Sequence, residues 1–124
     1  MPRKRIWYPT KTFVIKGHDI LLKKFGGRPG FDRGIEVFDV ILGEVKKTRG
    51  IYRKAAVLLR RLATGRIFDD GNHRTAFEVT FTFLQLNDAE MKVQDAQKII
   101  KFIKNIWFYE IDEIEAWLRN GQVP

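Results

Sequence analysis

Arg66-Ile67-Phe68-Asp69-Asp70-Gly71-Asn72-His73-Arg74-Thr75-Ala76 gathers two carboxylates, a glycine, an amide, an imidazole and two arginines before a long apolar run. Gly71 and Asn72 stand where a loop would hand over to a helix. The free backbone N–H groups of a helix N-terminus, with their partial positive charge, form a ready anion site. Arg74 would add a planar, forked cation suited to phosphate oxygens. Asp70 could hold a magnesium ion between phosphate and protein. The same residues also fit an ordinary Asp-Asp-Gly-Asn turn followed by a helix cap. Local chemistry leaves both readings open.

The elements around this turn read as helices. Thr10 is a candidate N-cap for a segment running to about Lys24. Gly26, Gly27, Pro29 and Gly30 then break the pattern. Ile35, Val37, Phe38, Ile41, Leu42 and Val45 recur at helical spacing, which predicts a second helix over 34–46. A third, over 52–64, carries Ala55, Ala56, Leu58, Leu59, Leu62 and Ala63 on one face. Phe77, Val79, Phe81 and Phe83 alternate with polar residues and would suit a strand. No partner strand of similar quality exists, so 72–86 is expected to be a buried helix. C-terminal helices follow within about 95–120, the last stopped by Asn120-Gly121. Between them Trp107, Phe108 and Tyr109 are read as helix–helix packing rather than as a base-stacking platform. The expectation is one all-α domain over 1–124, compact and built of about six helices.

Composition narrows the chemistry. Hydrophobic content of 44% with 31% charged residues is that of a globular chain. No apolar run reaches the length of a membrane span. The basic opening Met1-Pro2-Arg3-Lys4-Arg5 leads into Trp7-Tyr8-Pro9 rather than a signal-peptide apolar region, so a cytoplasmic protein is expected. Cysteine is absent, which removes disulfides and thiolate catalysis; serine is absent too, which removes a Ser–His nucleophile. His18 and His73 are too few for a histidine zinc site. A net charge of +8 favours polyanionic partners, nucleic acid among them. The densest basic stretch, Lys46, Lys47, Arg49, Arg53, Lys54, Arg60 and Arg61, is expected to form a solvated helix face.

The central stretch resembles the Fic/Doc family, its Doc ("death on curing") branch in particular. The family motif is His-x-Phe-x-(Asp/Glu/Ala)-(Gly/Ala)-Asn-(Gly/Lys)-Arg, and residues 66–74 align with it without a gap. Ala55–Ala63 is similar to the helix that leads into the family's active-site loop, and Phe81–Asn87 to its buried central helix. His18-Asp19 with Phe25-Gly26-Gly27-x-Pro29-Gly30 is similar to a common Doc-like opening. The likeness covers most of residues 8–90. It implies binding of ATP with Mg2+ and transfer of AMP or phosphate to a protein hydroxyl, in the setting of a toxin neutralised by a separate antitoxin chain. On that resemblance Phe68 anchors the loop in the core, Asp70 holds the metal, Gly71 and Asn72 present the anion hole, and Arg74 grips a phosphate.

Arg66 occupies the position of the family's catalytic histidine. A guanidinium stays protonated at physiological pH and cannot act as a general base. Three readings follow. A degenerate member keeps the phosphate cradle without transfer; an atypical one uses His73 as a substitute base; or the chain is a non-enzymatic basic module for a polyanion or a protein partner. Helix geometry counts against His73, since successive residues on a helix point about 100° apart. His18 is read as structural.

Overall fold

The computed structural model describes residues 5–123; the basic segment 1–4 lies outside them. Six α-helices follow in order: α1 Lys11–Phe25, α2 Val37–Lys47, α3 Ile51–Thr64, α4 Asn72–Leu86, α5 Ala96–Lys104 and α6 Ile111–Asn120. A single 3-10 turn, Ile106–Phe108, separates α5 from α6. Among the described residues the only β pairing is an isolated bridge between Phe31 and Phe68. The fold is all-α, and among the described residues no helix is long and apolar enough to cross a membrane.

Local chemistry sets the ends of these helices. The Thr10 hydroxyl accepts the Phe13 N–H at 3.1 Å and starts α1, while Asp95 accepts from the Gln97 and Lys98 N–H groups and starts α5. Each satisfies N-terminal donors that would otherwise lack partners. Gly121, at φ +80°, closes α6 by returning its N–H to the Trp117 carbonyl at 2.8 Å. Helix α2 begins at Val37, later than its periodicity suggests. Gly34 sits at φ +99° and the turn through Ile35 and Glu36 precedes the first full helical residue.

Helix α3 is the hub, packed against α2, α4 and α6. Ala55, Ala56, Val57, Leu58, Leu59, Leu62 and Ala63 are all buried, so the helix is surrounded rather than lying on the surface. Its alanines let neighbouring helices approach closely. Lys54 is buried with them, and its Nζ donates to the carbonyls of Val45 at 3.1 Å and Lys46 at 3.2 Å. It thereby caps the C-terminus of α2, where carbonyls lack partners and a cation is favoured. Arg53 bonds Asp112 and Glu115 on α6, and Arg61 pairs with Glu44 on α2. The basic stretch expected as a solvated face therefore ties α3 to two neighbours.

The alternation in 77–83 resolves as helix. Ala76, Val79, Thr80, Phe83 and Leu84 are buried at i, i+3, i+4 spacing, facing α1 and α3. Phe77 and Phe81 stack on one another one turn apart, at 5.8 Å between centroids. The reading of Trp107 and Phe108 as packing residues is corrected. Ile106 is the fully buried residue of that turn, and Tyr109 stacks on Phe102; Trp107 is 64% exposed and Phe108 80%. The 3-10 turn permits one side chain inward, and the smaller aliphatic residue takes that place.

Thr80 lies in this core with a hydroxyl that finds no hydrogen-bond partner. Replacing an unpaired buried hydroxyl by a methyl removes a desolvation cost. Thr80→Val is therefore expected to raise stability by about 1 kcal/mol, read as a higher urea midpoint. A lower midpoint would show that the hydroxyl is satisfied in solution.

Candidate functional site

The loop between α3 and α4 is held on three sides. From within, the Asn72 side chain grips the backbone of Phe68: its Oδ1 accepts the Phe68 N–H at 3.1 Å and its Nδ2 donates to the Phe68 carbonyl at 2.9 Å. From α1, buried His18 donates through Nε2 to the Asp70 carbonyl at 2.7 Å. A carbonyl only accepts, so Nε2 carries the proton. The same imidazole lies flat on Phe68, 3.6 Å between centroids and 5° from parallel. Phe68 and His18 are thus both buried against one another beneath the loop.

From outside, the segment after α1 runs antiparallel along the loop. Asp69 N–H donates to Gly30 O at 3.0 Å, Asp32 N–H to Ile67 O at 3.0 Å, and Arg33 N–H to Arg66 O at 2.8 Å. Asp70 joins the strap, since its carboxylate accepts the Arg28 N–H at 3.1 Å and the Gly71 N–H at 2.9 Å. Those two bonds hold the Asp70 carboxyl below the usual aspartate range. The strap needs Gly27 at φ +129°, where an added Cβ would meet Leu22 at 2.8 Å and Asp70 Oδ2 at 3.1 Å. The glycine-rich break in the sequence is therefore the flank of the motif loop.

Every motif residue from 66 to 74 except Ile67 and Phe68 lines one open cleft of about 570 Å³, together with Ala63, Thr64 and Trp107. At its floor is the N-terminus of α4. Gly71 is the cap residue, in the left-handed conformation, and no side chain caps the helix. Its first turn is left for an external acceptor, which is the condition for anion binding. His73 and Arg74 both line the cleft, although successive helical positions point about 100° apart. The Arg74 guanidinium lies 4.5 Å from the centroid of the Phe25 ring and makes no ion pair among the described residues. Partial desolvation lowers the His73 pKa from its usual value, which favours the neutral imidazole.

Arg66 differs in kind from its neighbours. It is a non-glycine residue at φ +57°, and its Nε donates to Asp32 Oδ2 at 2.8 Å. Its charge is compensated at the rim by Asp32, as Arg28 is by Asp69 at 3.2 Å. Asp32 and Trp107 are the site residues that sequence reasoning missed. Asp32 lies 34 residues before its partner, and only the antiparallel strap brings the two together.

The donor set suits magnesium in one manner only. Among the described residues no three acidic, histidine or cysteine side chains converge on a point. Asp70 lines the cleft with each oxygen using one lone pair on a backbone N–H. That leaves room for a single-carboxylate ligand whose other partners are water and substrate phosphate, a common magnesium arrangement. No known family model matches the chain, and no curated protein sequence matches it. The likeness to the Fic/Doc family rests on the motif and its flanks.

Two measurements check this geometry. Asn72→Ala strands the N–H and carbonyl of buried Phe68, and is expected to cost about 1–3 kcal/mol in urea unfolding. A cost near zero would mean that the grip contributes nothing. Asp70 has a folded pKa below its unfolded one. Its contribution to stability is therefore complete above the ordinary aspartate value and lost as pH falls through the lowered one. The stability gap between wild type and Asp70→Asn should be constant near neutrality and close in acid; a gap that widens in acid would contradict the assignment.

Proposed function

We propose that this protein is a Doc-like phosphate-binding domain that holds a nucleoside triphosphate, ATP with Mg2+, without the histidine-based transfer of its presumed relatives. The observation that carries the reading is the convergence of motif residues on the uncapped N-terminus of α4. Backbone N–H groups of the first α4 turn and the Arg74 guanidinium provide the anion contacts. Asp70 provides the one carboxylate through which a phosphate-bound magnesium ion would be held. Magnesium, when bound, neutralises phosphate charge and fixes its orientation.

Arg66 supports binding without transfer. It lines the cleft at the family's general-base position, but it stays cationic and its Nε is held by Asp32, so it cannot accept a hydroxyl proton. A role as a general nucleic-acid module is less well supported. Lys54 is buried and Arg53 and Arg61 are paired with carboxylates at the surface, which thins the unpaired basic stretch available to a polyanion. A second reading is favoured by His73, which lines the same cleft and whose partial burial favours the neutral imidazole that a substitute base requires. In either case the target protein and any antitoxin partner would approach from the open side of the cleft.

Calorimetric titration with ATP and Mg2+ tests the binding reading. A single site is expected, weakened roughly tenfold by Arg74→Ala, the loss of one charge-assisted contact; absence of binding by the wild type would overturn it. Labelled ATP separates the two mechanisms. Wild type should transfer no label to protein acceptors, whereas transfer abolished by His73→Ala would establish the substitute base. Arg66→His places a base at the motif position, and histidine is among the residues that tolerate the left-handed backbone there.

A further inference from the structure

Trp107 is held on an ordered turn without being packed into the core. It sits on a 3-10 turn fixed by Phe108 N–H to Asn105 O at 3.0 Å and Tyr109 N–H to Ile106 O at 3.2 Å. Ile106 is sealed in the core, and Tyr109 stacks on Phe102, which in turn stacks on Trp117 at 3.8 Å. The turn is therefore held firmly while the indole between these anchors stays 64% exposed. An exposed tryptophan on an ordered turn forgoes a large burial energy. Its neighbour is Arg60, whose guanidinium carbon lies 6.0 Å from the indole centroid and which, among the described residues, makes no ion pair and has a buried Nε without a hydrogen-bond partner. The cation steadies the ring from the protein side, and the remaining indole surface lines the cleft that contains Arg66, His73 and Arg74.

The geometry points to Trp107 as a stacking platform for the nucleobase of a nucleoside phosphate whose phosphates lie at the α4 N-terminus. A cleft of about 570 Å³ has the size of a small-molecule site. It offers cationic and N–H groups at one part and a flat π-surface at another, the two chemistries that a nucleotide combines. Stacking on an aromatic ring accepts every base because each has a π-face. Trp107 would distinguish nucleotides from bare phosphates, a discrimination that residues 66–74 do not supply. This inference rests on the cleft being a phosphate site.

The test compares ATP with inorganic tripolyphosphate, both with Mg2+, on the full chain by calorimetry and tryptophan fluorescence. For wild type, ATP should bind more tightly than tripolyphosphate and quench emission. Trp107→Phe should lose the quench yet keep ATP affinity within about twofold, since a ring remains. Trp107→Ala should weaken ATP roughly tenfold while leaving tripolyphosphate unchanged. Its far-UV circular dichroism and melting temperature should match wild type, because the indole is exposed. Unchanged ATP affinity in Trp107→Ala, or an equal loss for both ligands, overturns the stacking role while leaving the phosphate cleft standing. Failure of wild type to bind either ligand overturns the cleft and the platform together.

Discussion

The two hydrogen bonds between the Asn72 side chain and the backbone of Phe68 are the constraint on which the site depends. They fold residues 68–72 into a closed loop whose amide consumes both polar groups of one peptide residue. Phe68 can then enter the core without stranding its backbone, and His18 can lie flat upon it while bonding the Asp70 carbonyl. With the loop tied to itself, its polar side chains are engaged before they reach α4. The first turn of that helix is left without an internal cap. The anion site proposed for this turn rests on what the loop withholds as much as on what it presents.

The same economy governs charge. Formal charge is +8, yet many cations serve the fold: Lys54 caps α2, Arg53 and Arg61 join helices, and Arg66 and Arg28 are matched by carboxylates at the rim. Surface pairs of this kind contribute little stability individually. They do fix which cations remain for a ligand. Arg74, held over Phe25 without a carboxylate partner among the described residues, and the α4 N-terminus remain in the cleft. On the proposed reading these two groups make the cleft a local anion site, which suits a compact anion better than a long polyanion.

Helices proved legible where a periodic apolar face coincided with a cap. Thr10 and Gly121 marked ends that the structure places within a residue of expectation, and α4 spans the same 72–86 read from its length and lack of a partner strand. The start of α2 was less legible, because Ile35 continues the apolar pattern although Gly34 holds the backbone outside the helical region. Aromatic count misled at Trp107 and Phe108, since hydrophobicity alone does not say which side of a three-residue turn faces inward. Within the site, the residue types of 66–74 pointed to a single loop. The roles of Asn72 and Asp70 as backbone clamps were not legible, because each depends on partners fixed by the tertiary fold. The Arg66–Asp32 pair was hidden for the same reason, spanning 34 residues of sequence.

The central claim is that the N-terminus of α4 is the phosphate-binding element, and amide-resolved NMR reads it directly. Titration of nitrogen-15 labelled protein with ATP and Mg2+ should shift the backbone amides of the first α4 turn, Asn72, His73 and Arg74 among them, first and furthest, with a single saturation curve. Amides of the basic stretch on α3, from Arg53 to Arg61, should remain near their starting positions. Shifts spread over that stretch, with the 72–74 amides unmoved, would contradict the account.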